Sequence, residues 1–204
     1  MKLTYERLIK TGRVETFFDI GSNVGLHSLL LLVHGIQVVS FEPNPACHIA
    51  FREACKLNNV IPDIQSLALA DKAGEAKLFF PDQQTDLGTT APQTSAYLRE
   101  YQNIKEITVP KITLDTFLAD TGHRPDLIKI DTEGNELDVL KGARRALGEM
   151  GPTIIFESWP GYLRAELFKF LTEADYLIHN LSGEALTEGG FANSLATNFL
   201  ARPA

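Results

Sequence analysis

Two cysteines, Cys47 and Cys55, are all the chain has. Both fall on one predicted helix, residues 45–57, where eight steps of about 1.5 Å hold them roughly 12 Å apart, beyond disulfide reach. They read as reduced packing residues and point to a cytoplasmic protein. Long apolar runs are missing as well. No stretch approaches the roughly 18 residues of a membrane helix, and the charged start from Met1 to Lys10 lacks the apolar centre of a signal peptide. Positive charge is scarce: 19 Lys and Arg stand against 26 Asp and Glu, a net charge of −7. A nucleic-acid surface wants a basic side chain for each phosphate, so nucleic acid is a poor first partner. Repeats, low-complexity tracts and linkers are absent, and 204 residues suit one domain. A chain of that length buries roughly 70 % of its unfolded surface, enough to cover a sheet on both faces.

What is present begins with Asp19-Ile-Gly-Ser-Asn-Val-Gly25. A short apolar strand, Thr16–Ile20, enters a small-residue turn, a helix begins, a second strand, Gln37–Phe41, follows, and Glu42 ends it. This is a nucleotide-cradling β-α-β unit, in which an acid about 20 residues beyond the turn accepts hydrogen bonds from ribose hydroxyls. A dinucleotide turn reads Gly-x-Gly-x-x-Gly to press bare amides and a helix N-terminus against a pyrophosphate. Here the spacing is Gly21-x-Asn23-x-Gly25, and Leu26 follows. Asp19 adds a carboxylate that repels a pyrophosphate but accepts hydrogen bonds from an ammonium. S-adenosylmethionine offers an ammonium, a ribose and an adenine, with no phosphate. The plain alternative is a β-to-α turn made by Gly21 and Gly25, with Asp19 capping the helix.

The rest alternates strand and helix, the pattern of a mostly parallel sheet. Strands are expected near 63–67, 126–130, 153–156, 176–179 and 198–200, and helices over 45–57, 114–119, 135–147 (closed by Gly148) and 163–174. That makes about seven strands. Two further short strands, 77–80 and 107–112, bracket a polar stretch at 82–95, and the insertion at about 81–106 is either a substrate-covering flap or a passive excursion. Ligands of such sheets sit outside the carboxyl ends of the strands. Those ends are Ile20-Gly21, Phe41-Glu42, Leu67-Ala68, Ile130-Asp131 and Phe156-Glu157, and three of them present an acid. Clustered carboxylates there either raise one another's pKa, as a general base needs, or bind a divalent metal. Asp131 directly follows an apolar strand and reads as a site residue; Glu136 reads as a first-turn acid favoured by the helix dipole.

Several of these segments, with Ala68-Leu69-Ala70-Asp71, Thr113-Leu114-Asp115, Ile128-Lys-Ile-Asp-Thr-Glu-Gly-Asn-Glu136 and Leu140-Lys-Gly-Ala143, resemble FkbM-type S-adenosylmethionine-dependent methyltransferases from about Thr16 to Glu157. The Ile-Lys-Ile-Asp-x-Glu-Gly-x-Glu block carries most of that resemblance. It implies an α/β, Rossmann-like class I methyltransferase fold, a mostly parallel seven-stranded sheet with helices on both faces and a final antiparallel strand. It implies S-adenosyl-L-methionine as cofactor and methylation of a hydroxyl on a small molecule, sugar or natural product. Carried over by position, Asp19, Gly21, Ser22, Asn23 and Gly25 surround the methionine part, Glu42 holds the ribose, and Leu67 and Ala68 flank the adenine. Asp131 and Glu133 lie near the transferring methyl, and Glu157 is a further candidate base.

Two readings of other classes stand beside this one: an NAD(P)-dependent oxidoreductase, against which the missing glycine and Asp19 argue, and a non-catalytic cofactor-binding protein. His27, on the first turn after the glycines, is either a neutral base or a packing residue. His34, His48, His123 and His179 lack metal-ligand spacing. Trp159, between Glu157-Ser158 and Pro160-Gly161, either stacks on a ring substrate or anchors its loop.

Overall fold

A computed structural model of the chain describes residues 2–10, 12–81, 88–91 and 103–204. The first half runs α1 (Lys2–Lys10), β1 (Thr16–Ile20), α2 (Leu26–Leu32), β2 (Gln37–Phe41), α3 (Pro45–Leu57), β3 (Asp63–Gln65), β4 (Ala68–Leu69), β5 (Gly74–Pro81) and β6 (Ile104–Ile112). The second runs α4 (Leu114–Thr121), β7 (Leu127–Ile130), α5 (Glu136–Lys141), α6 (Arg144–Met150), β8 (Thr153–Glu157), α7 (Arg164–Glu173), β9 (Tyr176–His179), α8 (Glu188–Ala192) and β10 (Asn198–Pro203).

The main sheet has seven strands in the order β3-β2-β1-β7-β8-β10-β9. Its first five are parallel. β10 enters antiparallel between β8 and β9, so the closing strand runs against its neighbours as the resemblance implies. Strand side chains alternate between faces, and the burial follows. Phe18, Ile128, Phe156 and Phe199 pack under α4 to α8, whereas Phe17, Leu127, Ile155 and Leu200 pack against Tyr5 of α1 and Leu31 of α2. Both faces are therefore covered. Cys47 and Cys55 are buried on α3 as thiols, not in a disulfide, and no described helix is long and apolar enough to cross a membrane.

The structure departs from the sequence reading in three places. The strand expected over 63–67 stops at Gln65, and Leu67 turns into the core. The helix expected over 135–147 is two, α5 and α6. At the break, a Cβ on Gly142 would collide with the Ala70 carbonyl, and the Asp115 carboxylate takes the Arg145 and Ala146 amides at 2.9 Å, capping α6 from outside. Gly151, at φ +62°, closes α6 in place of Gly148. The short strands flanking the insertion form a separate sheet, β4-β6-β5, in which β5 and β6 are an antiparallel pair around Leu78, Phe80 and Val109. Of the insertion, 82–87 and 92–102 lie outside the described residues. Its described piece, 88–91, is tied to β5 by paired 3.0 Å hydrogen bonds between Phe79 and Thr89.

Candidate active site

The carboxyl ends of β1, β2 and β7 open on a cleft of about 280 Å³. Gly21, Ser22, Asn23, Glu42, Ala68, Asp131 and Glu133 are among the residues that line it. The turn after β1 alternates left-handed residues, Gly21 at φ +78°, Asn23 at +53° and Gly25 at +76°. Glycine serves packing here. A Cβ on Gly21 would strike the Asp131 carbonyl, and one on Gly25 would strike the Phe51 ring, so the missing side chains let the turn close on its own neighbours. Asn23 holds the turn by accepting the Val24 amide on Oδ1 at 2.6 Å.

Glu42 fastens the turn to the end of β2. Its Oε2 accepts the Asn23 amide and its Oε1 the Asn44 amide, both at 2.8 Å. Burial pushes its carboxyl up to about 7, against the opposing effect of those two amides. Asp19 does not reach the cleft wall. It is fully buried, and its Oδ2 accepts the Ser28 amide at 3.0 Å and the Ser28 hydroxyl at 2.6 Å, capping α2 from the neighbouring strand. Gly25 at the N-cap supplies no side chain for that task. The other oxygen, Asp19 Oδ1, and Ser22 Oγ are buried without a hydrogen-bond partner among the described residues. Gly25 and Leu67 also stand off the cleft wall; beside Ala68, Leu69 takes the position expected of Leu67.

At the carboxyl ends of β7 and β8, Asp131, Glu133 and Glu157 bring carboxylate oxygens within 4.8 Å of one another. Glu157 is off the cleft lining proper but joins this group. Burial, then Asp131 and Glu133, push the Glu157 carboxyl up to about 8, and it hydrogen-bonds Asp131, a contact that needs one proton between the two groups. Burial and the nearby Asp131 and Glu136 also raise Glu133. Glu133 sits at φ +53° followed by Gly134 at +107°, a backbone that costs about 1–3 kcal/mol at a non-glycine residue. Its neighbours hold it there: Thr89 Oγ1 donates to the Glu133 carbonyl and Tyr162 Oη to the Gly134 carbonyl, both at 3.0 Å. Glu136 staples the same loop, its Oε1 accepting the Thr132 amide and hydroxyl and the Gly134 amide at 2.9–3.2 Å. A first-turn dipole role understates it.

Lys129 is a cleft residue the sequence reading left out. It is 1 % exposed, lies on the α1 and α2 face of the sheet, and bonds Asp131 Oδ2 at 2.7 Å. The signal was available, because a lysine inside Leu-Ile-Lys-Ile, a strand buried throughout, must find a partner. Thr89 and Thr90 of the insertion also line the cleft, and Asn135 Nδ2 donates to Thr90 Oγ1 at 3.0 Å. His27 lines it too, half-buried with its ring 5.4 Å from that of Tyr5. Burial lowers its pKa, partly opposed by Asp19. The remaining histidines are scattered: His34, His48 and His179 bond backbone carbonyls, and His123 stacks on Phe117. Trp159 is 54 % exposed and donates Nε1–H to Glu157 Oε2 at 3.1 Å.

Residues 19–178 match the family model for the methyltransferase FkbM domain. Among curated proteins, the chain is 27 % identical over 187 residues to methyltransferase sdnD of Sordaria araneosa, covering 78 % of this chain and 72 % of that protein. It is 29 % identical over 164 residues to hexuronic acid methyltransferase AglP of Haloferax volcanii, covering 78 % of this chain and 62 % of that one. The crystal structure of an FkbM methyltransferase from Methylobacillus flagellatus superposes with a TM-score of 0.56 at 18 % identity, over 93 % of this chain and 44 % of that chain. That likeness establishes the Rossmann-like methyltransferase fold, and the chain spans less than half of the solved protein.

Proposed function

The chain belongs to the FkbM methyltransferase family, and from that membership we propose that it moves a methyl group from S-adenosyl-L-methionine to a hydroxyl of a small molecule, sugar or natural product. The observation that carries this reading is the Asp131, Glu133 and Glu157 group beside the glycine turn, with Asp131 and Glu133 lining the same cleft as Gly21 and Asn23. The residues present fit the cofactor. The unpartnered Ser22 Oγ, on the cleft wall, suits a ligand that brings a hydrogen-bonding group to the turn, as an amino-acid end does. Each Glu42 oxygen keeps acceptor capacity for a ribose hydroxyl, and Ala68 and Leu69 offer an apolar wall to the adenine. Among the described cleft residues Lys129 is the sole Lys or Arg, and Asp131 occupies it, which disfavours a pyrophosphate and with it the oxidoreductase alternative. AglP, named for hexuronic acid, supports a sugar among the acceptors.

When bound, the cofactor supplies an electrophilic methyl carbon on a sulfonium. The protein's part is to hold an acceptor oxygen in line with it and to take the hydroxyl proton. Asp131 and Glu133 are the first candidates for that proton and Glu157 the next, with the insertion around Thr89 and Thr90 covering the acceptor side. Labelled-methyl transfer tests the assignment. Asp131→Asn and Glu133→Gln should each bind cofactor, and at least one should lose about 10²- to 10⁴-fold in turnover. Near-normal turnover in both would remove them as bases.

A further inference from the structure

Trp159 is the chain's single tryptophan, and it stands more than half exposed beside the acidic group. Its orientation is fixed by the Nε1–H bond to Glu157, and among the described residues no ring or cation packs on its face. An indole held in this way presents a rigid apolar plane next to hydrogen-bond acceptors. The acids beside it are Glu133, whose two oxygens can both accept hydroxyl donors, and Glu157, which already takes the indole N–H and bonds Asp131 and offers the capacity that remains. Neutral groups line the cleft that Glu133 also lines: the Thr90 hydroxyl and the Asn135 amide that donates to it.

Charge narrows the ligand further. Lys129 is the only Lys or Arg among the described residues lining the cleft, and its ammonium is committed to Asp131 at 2.7 Å. The imidazole of His27 is kept neutral by burial. A carboxylate or phosphate on the acceptor would lose water here without gaining a free cation among the described cleft residues, and would face other carboxylates.

Building on the methyl-transfer reading above, we infer that the acceptor is an uncharged polyhydroxylated ring, a neutral pyranose, lying on the Trp159 indole with its hydroxyls on Glu133 and Glu157, and that the site rejects anionic sugars. Exposed aromatic face and neighbouring acids then have one purpose. The first selects the ring, and the second selects its hydroxyls.

The test uses the whole chain, titrated first with S-adenosylhomocysteine and then, loaded, with methyl glycosides of glucose, galactose, mannose and rhamnose, the matching uronates, and phenol. At least one neutral glycoside should bind, at least tenfold tighter than its uronate. Trp159→Ala should weaken that glycoside at least fivefold while leaving the S-adenosylhomocysteine affinity unchanged, and Trp159→Phe should restore part of the loss. The inference is overturned if a uronate binds as well as its neutral partner, if phenol binds more tightly than every glycoside, if no glycoside binds, or if Trp159→Ala has no effect. Each of those results leaves the methyl-transfer reading standing. Absence of S-adenosylhomocysteine binding at the outset would remove that reading, and this one with it.

Discussion

Glu42 answers two demands with one carboxylate. It holds the Asn23 and Asn44 amides, and in the proposed complex it also accepts the ribose hydroxyls. Glu42→Ala should therefore cost more than the ribose bonds alone, which are worth about 1.5–3 kcal/mol or roughly 10- to 150-fold in affinity. Calorimetry with S-adenosylhomocysteine decides this, and an unchanged affinity would refute the ribose role. The pH dependence has a definite sign. Burial raises this carboxyl to about 7, and charge-assisted bonds favour its ionised form, so affinity should climb as pH rises towards 7 and level off above it. At this scale the sequence showed residue types well and their orientations poorly. Glu42 and Asp131 were visible as acids ending apolar strands. That Asp19 faces α2, two positions before a glycine whose missing Cβ admits the Asp131 carbonyl, depends on contacts between distant segments.

Elements were legible where one local signal decided them. Thr16–Ile20 and Gln37–Phe41 are buried almost throughout, and Pro45–Leu57 starts on proline behind an Asn44 cap, so their ends follow from their own residues. Elements were misjudged where a remote partner decided. Asp115 splits the helix after Asn135, and β4 exists because β6 runs beside it. α1 owes its place to Tyr5 burying against Phe17 and His27. Arg164, at the start of α7, is the clearest such partner. It is buried, donates to the carbonyls of Ser158, Phe191, Ser194 and Ala196 at 2.5–2.9 Å, and lies over the Phe191 and Phe199 rings. It thereby binds the loop after β8 to α8 and to the approach to β10. Arg164→Met keeps much of the volume but strands those carbonyls, and should destabilise by about 3–5 kcal/mol, lowering the melting temperature by roughly 10 °C. A drop of under about 2 °C would show that water replaces the guanidinium without loss.

Across the whole molecule, the site's acids and the net charge of −7 act in the same direction. Burial raises Glu42, Glu133, Glu136 and Glu157 above the ordinary carboxylate range. Between an unfolded value near 4.5 and a folded value near 7, native Glu42 holds a proton that the unfolded chain has released. Stability from this source is therefore fully present below the unfolded pKa and falls as pH rises through the window, by up to about 3 kcal/mol for Glu42. Glu157 extends the decline towards 8. His27 opposes it only at the acid end, because its lowered pKa makes the folded state release a proton early, and that contribution is complete above the ordinary histidine value. Growing self-repulsion of an acidic chain adds to the decline. The ligand-free protein should thus unfold at a higher urea concentration at pH 6.5 than at pH 8.5, and Glu42→Gln should reduce the difference in part, because Glu157 carries the rest of it. Saturating S-adenosylhomocysteine should narrow it as well, because ribose bonds favour the ionised Glu42. A ligand-free midpoint that rises between those two pH values would mean that the buried acids are already ionised in the folded chain.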